Sequence, residues 1–92
     1  MKVEQKDDRG FVVSFDLNGK EYLGIFTKEG VTRAGHVHPY SQTNYLIEGK
    51  MMVYYGEYLQ NYEAPCVIQI GPNIFHKFFA TADSMMIERK NL

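Results

Sequence analysis

The chain has 92 residues, 45% hydrophobic and 23% charged, with ten Lys and Arg against eleven Asp and Glu for a net charge of −1. A chain this short buries only about 60–65% of its unfolded surface, so it holds one domain whose core is well packed or shared with a partner chain. This composition excludes a disordered chain, the shortness of apolar runs such as Met51–Tyr55 and Cys66–Ile70 excludes a bilayer-spanning helix, and balanced charge without a basic run excludes a nucleic-acid footprint.

In chain order, Met1–Arg9 is polar, has no signal-peptide core and reads as a frayed start. No stretch keeps apolar residues at helical spacing over three turns, whereas short β-branched and aromatic runs recur between glycines and asparagines. Phe11–Phe15 and Tyr22–Phe26 are the first two predicted strands, joined through Asn18-Gly19, a pair suited to the positive φ angles of a tight hairpin. Val31–Val37, Asn44–Ile47, Met51–Tyr55, Cys66–Ile70, Phe75–Ala80 and Met85–Arg89 follow, with Lys90–Leu92 frayed. Eight or so short strands at this spacing predict an all-β sandwich or small barrel. Tyr54, Tyr55, Tyr58 and Tyr62 form an aromatic patch over one barrel end or an oligomer contact, and seven Tyr and six Phe in so small a chain predict a homodimer. The lone Cys66 forms no internal disulfide and reads as a small core residue, which points to a reducing, cytoplasmic setting.

The chemistry concentrates in the histidines, of which there are three. His36 and His38 stand two apart, so on a strand both imidazoles face one way and can chelate one cation. Taken alone, such a pair is more often a pair of surface residues. His76 has the parity of Phe78 and Ala80, a half-apolar surface facing inward.

Reading outward, Gly30, five residues, His36-Val37-His38, three residues, Gln42, six residues and Gly49 resemble the first signature of the cupin family in every spacing and in every residue but one. The exception is Gln42, where that signature has glutamate. Ile70-Gly71-Pro72-Asn73-Ile74-Phe75-His76 approximates the second signature, with Pro72 shifted by one and Asn73, tolerant of a left-handed backbone, at the glycine position. The resemblance covers residues 30 to 80, and the short stretch Lys50–Ala64 between the signatures is that of minimal single-barrel cupins. It implies a small jelly-roll β-barrel (double-stranded β-helix) spanning 1–92, with a divalent metal held by His36, His38, Gln42 and His76. Iron, manganese, nickel, zinc and copper all accept imidazole.

With glutamine in place of glutamate, neutral donors leave the full +2 charge on the cation. The site then favours anionic or chelating ligands and binds metal more weakly, so Gln42→Glu is expected to tighten it. Gln42 either coordinates through its carbonyl oxygen or hydrogen-bonds a metal-bound water or substrate. A site emptied of metal is a third reading, weighed against by the retention of all three histidines. Tyr40, in the loop between His38 and Gln42, and Asn44, with the parity of Gln42, are candidates to line a substrate cavity, against the plainer readings of a loop aromatic and a cross-strand polar residue. Arg33, of opposite parity to His36, reads as a salt-bridged surface residue; Lys77 and Glu48 read as solvated.

No catalytic residue is identifiable. The leading expectation is a metal-binding cupin taking a small polar or anionic molecule, with a lean to a dioxygenase if it is an enzyme and isomerase chemistry as another possibility. A non-enzymatic binding protein is the second reading. A metal-free sugar-nucleotide isomerase or epimerase of the RmlC-like barrel type is the third. Nucleic acid and membrane are not expected as partners.

Overall fold

Alternation of apolar with polar residues, interrupted by glycine and asparagine, produces ten strands and, among the described residues, no helix. The structure, a computed structural model, describes residues 1–92 and every side chain except that of Ala34. The strands are β1 (Lys2–Asp7), β2 (Gly10–Leu17), β3 (Lys20–Thr27), β4 (Thr32–His36), β5 (Ser41–Glu48), β6 (Lys50–Tyr55), β7 (Tyr58–Glu63), β8 (Cys66–Ile70), β9 (His76–Ala80) and β10 (Ser84–Asn91). No helix is long and apolar enough to cross a membrane.

Two antiparallel sheets face each other, one in the order β1-β2-β3-β10-β5-β8 and the other β4-β9-β6-β7. From β3 onward the chain crosses between them at every step except the β6–β7 hairpin, which is the jelly-roll pattern. Short crossings bring the end of β4 close to the start of β5 and the end of β8 close to the start of β9. A hydrogen bond from Asn73 N to His38 O, 2.8 Å, ties these two crossings together. Asn73 adopts φ 59°, the left-handed conformation expected at that position.

Parity decides what lies between the sheets. Ile25, Leu46, Ile68, Ile70 and Met86 from the large sheet meet Met51, Val53, Phe78 and Ala80 from the small one. Amid this apolar filling, Gln42, Asn44 and His76 are each 1% exposed or less. Burying polar groups there is costly unless they find partners, so these residues call for an explanation.

The strands expected from sequence are all present, and Asn18-Gly19 closes the β2–β3 hairpin with φ 53° and 77°. Two further strands carry weaker patterns. Lys2–Asp7, read as a frayed start, pairs with β2, and Lys90 and Asn91 extend β10 opposite Gln42 and Ser41. Tyr58–Glu63, read only as part of an aromatic cluster, pairs with β6. There Tyr55 and Tyr62 join hydroxyls at 2.6 Å and pack against the core, while Tyr58 is exposed.

Arg33 departs from the sequence reading. Gly35, at φ 96°, forms a bulge in β4, so Arg33 pairs with Phe78 while His36 pairs with His76. Because Phe78 and His76 share a face, so do Arg33 and His36. The guanidinium turns inward and donates to Thr27 Oγ1 (2.9 Å), Phe26 O (3.0 Å) and Gln5 Oε1, with no carboxylate partner among the described residues. It links β4 to β3 and β1 across the barrel, away from the histidines.

Candidate metal centre

His36 ends β4 and His76 opens β9, and the two are register partners in the small sheet. His38 lies just beyond β4 rather than on it, so its convergence with His36 depends on the bulge and the following turn, not on strand alternation alone. The possible ligand atoms of the three histidines all lie within 4.8 Å of one another. Their ring centroids are 4.8 to 5.0 Å apart. A separation of that size leaves room for one ion bonded to each imidazole at about 2.0–2.1 Å.

The backbone selects the tautomers. His76 Nδ1 lies 2.9 Å from Ile74 O, and His38 Nδ1 lies 3.3 Å from Tyr40 O. A carbonyl oxygen only accepts, so in each ring Nδ1 carries a proton, and in the neutral ring Nε2 is the nitrogen with the lone pair. His76 Nε2 is buried with no hydrogen-bond partner among the described residues. His36 is the most exposed of the three. Partial desolvation beside the cluster first, then the neighbouring His76 and His38 rings, holds its imidazole below the ordinary range, against an opposing pull from Glu88. The neutral, ligating form of His36 is thereby favoured.

Gln42 lies at the start of β5, facing inward. Its Nε2 donates to Asn44 Oδ1 at 2.8 Å and to Glu88 Oε1 at 3.0 Å, and Asn44 Nδ2 donates to the same Glu88 oxygen at 3.0 Å. Both amide hydrogens of Gln42 are therefore engaged, and Gln42 Oε1 is left buried without a partner. An unpartnered buried polar atom costs about 1–3 kcal/mol. Here there are two such atoms, His76 Nε2 and Gln42 Oε1, and both belong to residues at metal positions of the cupin signatures. This donor set fits a divalent transition metal.

Tyr40 stacks on His38 with ring centroids 4.2 Å apart and planes 8° from parallel, so its ring buttresses a histidine. Lys90 Nζ stands 5.6 Å from the Tyr40 ring centroid. Asn44 lines the interior, as its parity with Gln42 predicts, and its amide braces Gln42 and Glu88. A cleft of about 500 Å3 has Lys20, Leu23, Glu88 and Lys90 in its wall, and none of His36, His38, Gln42 and His76 lines it.

Glu88 is the residue that sequence reasoning missed. It follows Gln42 by 46 positions and belongs to no recognised motif. A signal was nonetheless present: in the predicted strand Met85–Arg89, Glu88 shares the parity of Met86, a core residue, so a carboxylate stood at an inward-facing position. Lys77 lies over Tyr54, 4.7 Å from its ring centroid, and Glu48 is exposed, both apart from the cluster. Cys66 is half-buried, and burial pushes its thiol up, away from the reactive thiolate.

No family model matches the sequence, and no curated protein matches it. Solved structures do. An RmlC-like cupin from Shewanella frigidimarina NCIMB 400 superimposes with a TM-score of 0.83 at 18% identity, over 97% of this chain and 81% of that one. KdgF from Halomonas sp. gives a TM-score of 0.83 at 13% identity, over 98% of this chain and 86% of that one. A variant of the Bacillus subtilis oxalate decarboxylase OxdC gives 0.82 at 12% identity, over 94% of this chain but only 26% of that longer one. At these identities the likeness is one of fold, and it agrees with the strand pattern and the crossings between sheets: the chain has the jelly-roll β-barrel of the cupins.

Proposed function

We propose that the protein is a metal-binding cupin in which His36, His38 and His76 hold one divalent transition metal, with Gln42 Oε1 as a fourth donor. The observation that carries this reading is His76 Nε2, a lone pair fixed by the Ile74 carbonyl, buried without a partner, and aimed into a cluster of three imidazoles. A metal bound there supplies Lewis acidity or, as iron or manganese, a centre for dioxygen chemistry. The chain's own residues orient the donors: Ile74 O and Tyr40 O fix the imidazole tautomers, and the Tyr40 ring braces His38.

The remaining metal positions receive a small polar or anionic molecule. An anion suits a cation with neutral first donors and the Lys90 ammonium above Tyr40. Elemental analysis of protein purified without added metal tests the reading. About one equivalent of a transition metal is expected, lost in both His36→Ala and His76→Ala; metal content unchanged in these variants overturns it. Oxygen consumption by the iron-restored protein with thiols, diketones and catechols separates an oxygenase from a non-enzymatic binding protein.

The homodimer reading is supported by the outer face of the large sheet. Phe11 stacks on Phe26 at 5.4 Å and Phe15 on Tyr22 at 5.7 Å, and Ile47 and Val67 are 48% and 52% exposed. A self-associating face of this kind removes apolar surface from water.

A further inference from the structure

We propose that Glu88 is a positioning residue for the metal centre, supplying from β10, through the Gln42 amide, the negative charge that the first cupin signature places at position 42. This rests on the metal-binding reading above and goes beyond it by assigning a role to a residue outside both signatures.

Register creates the juxtaposition. β10 runs antiparallel to β5, with Glu88 opposite Asn44 and Lys90 opposite Gln42. Gln42 and Asn44 face the interior together, and Glu88 Oε1 accepts one N–H from each amide while Asn44 Oδ1 accepts the second N–H of Gln42. A carboxylate has no hydrogen to donate, so the opposite amide orientation would set Gln42 Oε1 against a negatively charged oxygen. Glu88 thus fixes which end of the amide points away, and the end pointing away is the unpartnered Oε1. A hydrogen bond from an amide N–H to a carboxylate also polarises the amide and strengthens its oxygen as a donor. Outer partners of this kind orient ligands and tune metal affinity.

The arrangement reverses the expectation for Gln42→Glu. With Glu88 at hydrogen-bond distance from residue 42, that substitution alone sets two carboxylates side by side, and like charges disfavour one another's ionised form. Adding Glu88→Gln moves the single charge back to position 42 and restores a complementary pair.

The test is a titration with Co2+ alone, read by the visible absorption of the bound ion, for wild type, Glu88→Gln, Gln42→Glu and the double variant. Glu88→Gln keeps an acceptor oxygen for both amides and removes the charge, and its Co2+ affinity is expected to fall about 10–100-fold with a shifted spectrum. Gln42→Glu is expected to bind Co2+ about tenfold or more weaker than wild type, and the double variant to bind within a few-fold of wild type or tighter. A merely structural Glu88 would lower the melting temperature of the metal-free variant without changing affinity or spectrum, and the charge exchange would rescue nothing. Co2+ affinity and spectrum unchanged in Glu88→Gln, or Gln42→Glu alone binding as tightly as the double variant, overturns this inference and leaves the metal reading standing. Wild type that fails to bind Co2+ overturns both. Should Gln42→Glu fail to fold, Glu88→Gln and the double variant decide the question.

Discussion

Replacing His76 with leucine separates a ligand from a core residue, because the two roles predict opposite signs in the absence of metal. The imidazole is fully buried, its Nε2 has no partner, and its one hydrogen bond runs from Nδ1 to Ile74 O in an exposed loop. Removing the unpartnered nitrogen relieves a penalty of about 1–3 kcal/mol, and losing the hydrogen bond costs about 0.5–1.5 kcal/mol. Leucine is close to histidine in volume and meets Phe78 and Tyr55, so packing is largely kept. The metal-free variant should therefore be as stable as metal-free wild type or up to about 2 kcal/mol more stable. With Zn2+ in large excess the order inverts. Wild type gains about 4 kcal/mol at a thousand times its dissociation constant, and the variant gains little. In a chain of this size each kcal/mol moves the melting temperature by about 4–8 °C. Thermal melts of both proteins in chelator and in excess Zn2+ read all four states. If leucine lowers the melting temperature equally in chelator and in metal, His76 is a structural residue and the reasoning is refuted.

Further outcomes follow from particular contacts. Arg33→Met strands the buried Thr27 hydroxyl and the Phe26 carbonyl, so urea denaturation should show a loss of about 1–3 kcal/mol with unchanged metal affinity; an unaltered midpoint would mean that the guanidinium does not tie the sheets together. Burial raises the Cys66 thiol, leaving less thiolate at pH 8 than in a free cysteine, so alkylation of the native protein should be slower than after denaturation; equal rates would contradict it. Metal competes with protons for the imidazoles, and the lowered His36 value moves that competition at His36 below the ordinary histidine value of 6.5, so metal affinity should fall as the pH drops below it; affinity unchanged down to pH 5 in titrations from pH 5 to 8 would contradict this. Val67→Glu places a charge on the apolar outer face and should shift sedimentation equilibrium from dimer to monomer; a monomeric wild type would remove the homodimer reading.

The histidine cluster was legible because it depends on spacings within short segments, and the β-strands because apolar alternation and turn residues mark them locally. What escaped depends on irregular or distant structure. The bulge at Gly35 reset the parity of β4, so a one-residue count put Arg33 outside when it lies within, and His38 joined the cluster from beyond the strand rather than along it. Lys2–Asp7 is stabilised as a strand by pairing with β2 rather than by its own mostly exposed side chains. Glu88 acquires its meaning only from the β5–β10 register, which brings residues 46 positions apart into contact.

Crystals soaked in a transition metal, with diffraction recorded on either side of its absorption edge, address the site directly. An anomalous peak about 2.0–2.2 Å from Nε2 of His36, His38 and His76 is the predicted result. Density on surface carboxylates alone, with the three imidazoles bonded only to water, would contradict the account.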